Sequence, residues 1–128
     1  MSQVVENLLY TEDHEWIKVE GNSATIGITD FAQNSLGDIV FVELPDTDSD
    51  IESGSTFGVV ESIKSVSDLY TPLSGKVVDK NEAIEESPEQ INQDAFAAWL
   101  IKIELSDNSQ LSELMDAQKY KEFCAENS

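Results

Sequence analysis

Residues 58–75 read Gly-Val-Val-Glu-Ser-Ile-Lys-Ser-Val-Ser-Asp-Leu-Tyr-Thr-Pro-Leu-Ser-Gly. Apolar and β-branched residues on both sides of Lys64 predict two strands, over residues 56–63 and 66–70. The short interval between them predicts a hairpin with Lys64 at its tip. Lys64 is framed by Glu61 and Asp68, so it is a cation in an acidic setting, open to a modifying enzyme. This pattern alone nevertheless favours the simpler alternative, an ordinary solvated lysine.

The rest of the chain also predicts a mainly β fold. Asp30 is a candidate N-cap for a short helix that ends at Gly37. Turn-rich acidic stretches predict loops over residues 46–54 and 81–92. The apolar spacing of residues 112–126 predicts an amphipathic helical tail, in which Asp116 is a candidate cap. The other predicted strands cover residues 16–20, 23–29, 39–44 and 99–105, and one more begins at Lys76.

The length of the chain predicts one domain over residues 1–128. About 40% of the residues are apolar, which is enough for one core at this size. We expect this core to span about residues 15–106, followed by a helical tail over about residues 109–126. Many short strands separated by turn signals favour a sandwich or a barrel. The aromatic residues expected in the core are Trp16, Phe31, Phe41, Phe57, Phe96 and Trp99.

The charge balance excludes several classes of function. The chain has 26 acidic residues, 7 lysines and no arginine, and its formal net charge is −19. A basic patch for nucleic acid cannot be built from this composition. Acidity most simply favours solubility, and the alternative is electrostatic steering toward basic partner proteins. No apolar run approaches the roughly 18 residues of a membrane helix, and residues 1–6 lack the features of a signal peptide. We therefore expect a cytoplasmic protein with no membrane partner.

The supply of catalytic groups is small. Cys124 is the only cysteine, so an internal disulfide and a cysteine metal cluster are both impossible. His14 is the only histidine, and any triad or dyad would have to use it. Cys124 lies among apolar residues and is predicted to be a small buried hydrophobe. The sequence therefore predicts no catalytic residue and no metal site.

The segment around Lys64 resembles the lipoylation site of glycine cleavage system H proteins. The resemblance rests on the run Glu-Ser-Ile-Lys-Ser-Val-Ser-Asp-Leu-Tyr-Thr-Pro-Leu-Ser-Gly over residues 61–75. Biotin carriers usually place the lysine between two methionines, and acyltransferase lipoyl domains place it between Asp and Ala. Here its neighbours are Ile63 and Ser65. Further similarity to the family covers residues 10–16, 24–30, 36–45, 86–92 and 99–103.

One stretch departs from the family pattern. The family usually has a Pro-Tyr or similar pair and a glycine before the tryptophan, whereas this chain has Asp-Ala-Phe-Ala-Ala-Trp over residues 94–99. Without glycine and proline, the geometry of this turn should differ. We expect a change in the local loop shape and no effect on the lysine site.

The resemblance implies a mainly β, lipoyl/biotinyl-carrier-like barrel-sandwich hybrid, with short peripheral helices and a helical C-terminal tail. It implies a lipoate covalently attached to Lys64, with Glu61, Ser62, Ser65 and Asp68 forming the rest of the attachment site. The chain would then be a shuttle rather than an enzyme. A lipoate ligase or octanoyltransferase would attach the arm, in a bacterial cytoplasm or, for a processed organelle form, in the mitochondrial matrix.

The resemblance also implies a sequence of partners. The arm would accept an aminomethyl group from glycine decarboxylase (P protein) and present it to the tetrahydrofolate-dependent aminomethyltransferase (T protein). Dihydrolipoyl dehydrogenase (L protein) would then reoxidise it. One alternative is a lipoyl relay, or a carrier for another lipoate-dependent complex. An alternative from a different class is an interaction domain in which Lys64 stays unmodified.

The resemblance places a resting groove for the arm near Asp13, His14, Glu15 and Asp68. The carboxylates there could hold a cationic amine. The alternative is that Glu15 and Asp68 are simply surface acids. His14 is not predicted to be catalytic, and it could lie at the surface or fix the local turn.

Overall fold

The structure, a computed structural model, describes residues 4–127. The prediction that residues 1–6 form no signal peptide depends partly on Met1–Gln3, which lie outside the described residues, as does Ser128. The strands are β1 Leu9–Tyr10, β2 Glu15–Glu20, β3 Ser23–Ile28, β4 Ile39–Glu43, β5 Asp50–Ile51, β6 Thr56–Ser62, β7 Val66–Tyr70, β8 Gly75–Lys80 and β9 Ile101–Leu105. The helices are α1 Asp30–Leu36, α2 Glu82–Glu86, α3 Gln90–Gln93 and α4 Ala117–Asn127, and a 3-10 helix covers Asn108–Glu113.

Two antiparallel sheets make up the fold. The larger sheet has the order β1-β2-β3-β9-β8-β5, and the smaller sheet has the order β4-β6-β7. Strand β9 shows the expected alternation, since Ile101, Ile103 and Leu105 are buried and the two residues between them are exposed. The apolar core extends across both sheets. This arrangement, with short helices and a C-terminal helix, confirms the predicted fold class.

A second apolar cluster attaches α4 to the larger sheet. Tyr120 of α4 stacks on Tyr10 of β1 with ring centroids 4.4 Å apart. Trp16 belongs to the same cluster and lies opposite Gly27, where a Cβ atom would collide with its indole ring. The helical tail is therefore packed on strands β1 and β2. Strand pairing begins at residue 9.

Several local predictions were wrong. The N-cap of α1 is Thr29, not Asp30, because the Thr29 side chain accepts a hydrogen bond from the amide of Ala32 at 3.2 Å. The loop predicted over residues 46–54 contains β5, and the loop predicted over residues 81–92 contains α2 and most of α3. These elements have only two to five residues, so they are too short to show a hydrophobic period.

The predictions for the aromatic residues were confirmed only in part. Trp16 and Phe57 are buried as expected. Phe41 is instead an exposed residue of β4. Trp99 is only partly buried, with Lys102 Nζ 4.8 Å from the centre of its ring. Phe31 and Phe96 are also partly buried.

The segment that departs from the family pattern forms a turn after α3. The Asp94 carboxylate accepts hydrogen bonds from the amides of Phe96 and Ala97, at 3.2 and 3.3 Å. The carbonyl of Ala95 accepts a hydrogen bond from Trp16 Nε1 at 3.1 Å. An aspartate side chain therefore stabilises the turn that glycine and proline would otherwise favour.

Candidate functional site

Lys64 lies at the exposed end of the β6–β7 hairpin. Glu61 pairs with Val66, and the amide of Ser62 donates to the carbonyl of Ser65 at 2.8 Å. The Ser62 hydroxyl accepts hydrogen bonds from the amides of Lys64 and Ser65, at 3.2 and 3.1 Å. Ile63 and Lys64 do not have the positive φ that mirror-image hairpin turns require. The buried Ser62 side chain therefore stabilises a turn of less common type and fixes the base of Lys64.

A second contact ties this turn to the segment that follows α1. The amide of Ile63 donates to the carbonyl of Asp38 at 3.1 Å. The neighbouring Gly37 ends α1 with a φ of 81°, and a Cβ atom there would lie 3.4 Å from Cε of Lys64. The lysine side chain therefore runs past Gly37, and a Cβ atom there would be in van der Waals contact with it.

No carboxylate among residues 4–127 forms an ion pair with Lys64. The ion pairs seen among residues 4–127 join Lys18 to Glu20, Lys80 to Glu85 and Lys121 to Glu6. Acylation of Lys64, which would remove its charge, therefore breaks no ion pair in the described part of the chain. The exposed amine is chemically accessible.

The other residues predicted around Lys64 are divided between two places. Glu61 is partly buried on β6, and Ser65 is exposed and contributes its backbone to the turn. Together with Ser62 they belong to the end of the hairpin that carries Lys64. Asp68 lies two residues further along β7 from Val66, is exposed, and lines a nearby cavity.

This cavity of about 190 Å³ brings together the four residues that the sequence assigned to a groove. Its wall includes Leu36, the residue before Gly37, so it lies close to the Lys64 side chain. A wider open groove of about 720 Å³, bordered by Asp50, Ser74 and Glu104, contains none of the predicted site residues. The lining residues of the smaller cavity are Asp13, His14, Glu15, Ile28, Ala32, Ser35, Leu36, Val60, Ser67, Asp68 and Leu69.

Glu15 is not a surface acid. Its side chain is 2% exposed, and its carboxylate accepts a hydrogen bond from the Thr11 hydroxyl at 3.3 Å. Burial, helped by the negative charge of Asp13, raises the pKa of Glu15 to about 8. Asp13 and Asp68 are exposed. The cavity therefore combines one buried carboxyl group that has a raised pKa with two exposed acidic side chains.

His14 fixes the turn before β2. It has a φ of 64°, which is uncommon outside glycine, and its ring stacks on Phe31 with centroids 4.3 Å apart. Its Nδ1 atom lies 2.8 Å from the hydroxyl of Tyr120, which lies 2.7 Å from the hydroxyl of Thr29. Burial lowers the pKa of His14. Sequence reasoning missed the polar contacts of Tyr120 and Thr29, since the apolar spacing of residues 112–126 indicated only an amphipathic helix.

Comparison with known proteins identifies the family. Residues 8–127 match the family model described as Glycine cleavage H-protein. The chain belongs to the glycine cleavage H-protein family. It is 57% identical over 124 residues to the Glycine cleavage system H protein of Staphylococcus saprophyticus, and the aligned region covers 96% of this chain and 98% of that protein. It is also 57% identical over 122 residues to the Glycine cleavage system H protein of Alkaliphilus oremlandii, and that aligned region covers 95% of this chain and 96% of the relative.

A solved structure shows the same fold. The crystal structure of a glycine cleavage system H protein from Mycobacterium marinum is 36% identical in sequence and matches with a TM-score of 0.85. The match covers 97% of this chain and 98% of that one. The predicted resemblance is thereby confirmed, and the chain is a carrier protein of the glycine cleavage system rather than a catalyst. No helix among the described residues is long and apolar enough to cross a membrane.

Proposed function

We propose that Lys64 carries a lipoyl group in amide linkage and that the chain presents this group to three enzymes of glycine cleavage. These enzymes are glycine decarboxylase, the tetrahydrofolate-dependent aminomethyltransferase and dihydrolipoyl dehydrogenase. The observation that supports the proposal best is the position of Lys64. It stands at an exposed turn held by Ser62, and its side chain passes Gly37 beside a cavity that contains carboxyl groups.

The residues present fit a lipoyl group. When bound, that group supplies a disulfide that can be reduced as it takes up an aminomethyl group, which is chemistry that the polypeptide lacks. Cys124, the single cysteine, is partly buried in α4 and cannot form an internal dithiol. Acylation makes Lys64 neutral, and the cavity offers Ile28, Leu36 and Leu69 as apolar contacts for an aliphatic chain.

The carboxyl groups of the cavity suit a cationic amine. Asp13 and Asp68 are exposed, so they are solvated and attract a cation only weakly. Glu15 is different, because a buried carboxyl group with a pKa of about 8 would ionise when a cation arrives beside it. In this proposal Glu15 releases its proton to solvent when the cationic amine enters, and the resulting carboxylate then holds the amine away from bulk water. The cavity thus serves as the resting place of the loaded arm.

Attachment of the arm requires a modifying enzyme, either a lipoate ligase or an octanoyltransferase. Such an enzyme must recognise Lys64 among seven lysines. Glu61 and the turn that Ser62 stabilises provide a setting specific to this lysine. The bacterial relatives support a cytoplasmic location for this proposal.

Reconstitution tests the shuttle role. The lipoylated chain, mixed with glycine decarboxylase and carboxyl-labelled glycine, should support release of labelled CO₂. Lys64→Arg should abolish this release, and Lys76→Arg, a change of an exposed lysine on β8, should leave it unchanged. If the lipoylated chain supports no release above background, the glycine shuttle is wrong, and a relay for another lipoate-dependent complex becomes the better explanation.

A second experiment tests the cavity. In the amine-loaded chain, the rate of hydrolytic loss of the amine should rise in the double variant Glu15→Ala, Asp68→Ala. Glu104→Ala, which removes an exposed carboxylate of β9, is the matched control and should behave as wild type. An unchanged rate in the double variant would show that the arm does not rest in this cavity.

A further inference from the structure

The large apolar side chains that face solvent are concentrated around Lys64. Among the described residues, six such side chains are between 39% and 69% exposed. Five of them belong to β4, to β7 or to the turn that carries Lys64, and the sixth, Val78, lies on β8 of the other sheet. We call the five the outer apolar face: Val40, Phe41, Ile63, Val66 and Tyr70.

Strand register places the central members of this face side by side. Phe41 pairs with Glu61, and Glu61 pairs with Val66, so the three form one row across the small sheet. Residues in one row point to the same side of a sheet, and neighbouring strands lie about 4.8 Å apart. Phe41 and Val66 therefore flank Glu61 at the end of the hairpin where Ile63 precedes Lys64.

We propose that the outer apolar face is the docking surface for the lipoate-attaching enzyme that acylates Lys64. The partner is then an enzyme with an apolar contact area surrounded by basic side chains. This inference rests on the proposed function, because it assumes that Lys64 is the acylated residue.

Geometry favours this occupant. An enzyme that acts on Lys64 Nζ must bring its reacting atoms within bonding distance of that nitrogen. Its surface then covers the residues next to Lys64, which include Ile63 and Val66. Exposed apolar side chains next to a polar rim are the usual centre of a protein interface, and aromatic residues such as Phe41 often contribute most of the binding energy.

Charge complementarity defines the chemistry of the partner. Between residues 38 and 70 the chain has one basic residue, Lys64, and eight acidic residues. Asp38 contacts the turn through its backbone, and Glu61 lies within the apolar row. A face with this charge attracts a basic surface and repels a second copy of the same acidic chain.

The test is the steady-state kinetics of acylation with a purified lipoate ligase, lipoic acid and ATP. Phe41→Ser and Val66→Ser should each raise the KM for the chain about tenfold, with little change in kcat. Val78→Ser is the matched control, since it removes another exposed valine from the other sheet, and its KM should stay within about twofold of wild type. Phe41→Leu should recover most of the loss. Thermal unfolding of each variant confirms that the fold is retained.

Several outcomes would overturn the inference. One is an unchanged KM for Phe41→Ser and Val66→Ser, and another is an equal rise for Val78→Ser. A third is a dimeric wild-type chain that becomes monomeric in Phe41→Ser with an unchanged KM, which would assign the face to a second copy. If the wild-type chain is not acylated on Lys64 at all, the proposed function itself fails, so the two failures are distinguishable.

Discussion

The hydroxyl group of Tyr120 lies 2.8 Å from Nδ1 of His14 and 2.7 Å from the hydroxyl group of Thr29. The Thr29 oxygen already accepts a hydrogen bond from the amide of Ala32, so its own hydrogen is free to be donated to Tyr120. With Thr29 as the donor, we infer that Tyr120 donates its own hydrogen to His14 Nδ1. Donation in this direction favours the neutral imidazole at the edge of a cavity that is proposed to hold a cation.

Removing the Tyr120 hydroxyl should therefore change the titration of His14. Because His14 is the only histidine, its imidazole resonances can be assigned directly in an untagged chain. In wild type we expect a pKa below 6.5, since burial lowers it and the charge of Asp13 only partly opposes this. In Tyr120→Phe the pKa should move upward, and the chain should lose about 1–2 kcal/mol of stability.

A matched change controls for the general loss of a tyrosine hydroxyl. Tyr70→Phe alters an exposed tyrosine and should leave the His14 titration unchanged. A downward shift of the His14 pKa in Tyr120→Phe would contradict donation from Tyr120 to His14, because it would mean that Nδ1 donates to the Tyr120 hydroxyl in wild type. Glu15 and Asp68, which also line the cavity, are unchanged in both variants.

The raised pKa of Glu15 predicts a pH-dependent stability. The folded carboxyl group binds its proton more tightly than an unfolded one, because its pKa is about 8 instead of 4.5. The stabilisation of the folded state by this proton is therefore fully present below pH 4.5 and is lost as the pH rises through 8. Relative to Glu15→Gln, the unfolding free energy of wild type should fall across this window by up to roughly 1.4 kcal/mol per pH unit.

Urea denaturation at a series of pH values measures this difference. Glu104→Gln, a change of an exposed carboxylate, is the control and should show no such window. Parallel curves for wild type and Glu15→Gln from pH 5 to 8 would contradict the assignment of a buried, protonated Glu15.

The Ser62 hydroxyl should determine the order of the lysine turn. Ser62→Ala leaves the amides of Lys64 and Ser65 without their acceptor, which should cost about 1 kcal/mol. Hydrogen exchange at these two amides should become faster. Ser65→Ala is the matched control, since Ser65 contributes its backbone to the turn, and it should leave exchange at Lys64 near the wild-type rate. Equal exchange in both variants would mean that the serine hydroxyl does not hold the turn.

Gly37 should control the space around the Lys64 side chain. In Gly37→Ala the new methyl group would lie in van der Waals contact with Lys64 Cε and restrict its movement, and the backbone is strained because φ is positive. Gly21→Ala carries a similar strain at a φ of 60° but points into open space. Both variants should lose about 1 kcal/mol of stability, whereas only Gly37→Ala should slow acylation of Lys64. Equal acylation rates would show that the arm does not need this space.

The main features of the fold could be predicted because they depend on local patterns. The residues flanking Lys64 alternate and fall on β6 and β7, as predicted. Phe41 was predicted to be core because it is a large apolar residue in a β-rich run. Its exposure depends on the irregular pairing between Ile39 and Phe41, a tertiary property that residue type does not encode.

The candidate site could be predicted in part. The family resemblance placed Asp13, His14, Glu15 and Asp68 together, and these four residues line one cavity. The burial of Glu15 and its link to neighbouring groups depend on how strands pack, and a glutamate in a sequence is usually exposed. The contact of Tyr120 with His14 joins residues 106 positions apart, and no local pattern indicates it.

The most direct test of the central claim is the intact mass of the chain purified from its native host grown with lipoate, followed by peptide mapping. The proposed function predicts one lipoyl group per chain, located on Lys64 and absent from Lys64→Arg, with Lys76→Arg modified as wild type. An unmodified mass from the lipoate-replete host, or a lipoyl group on any other lysine, would contradict it.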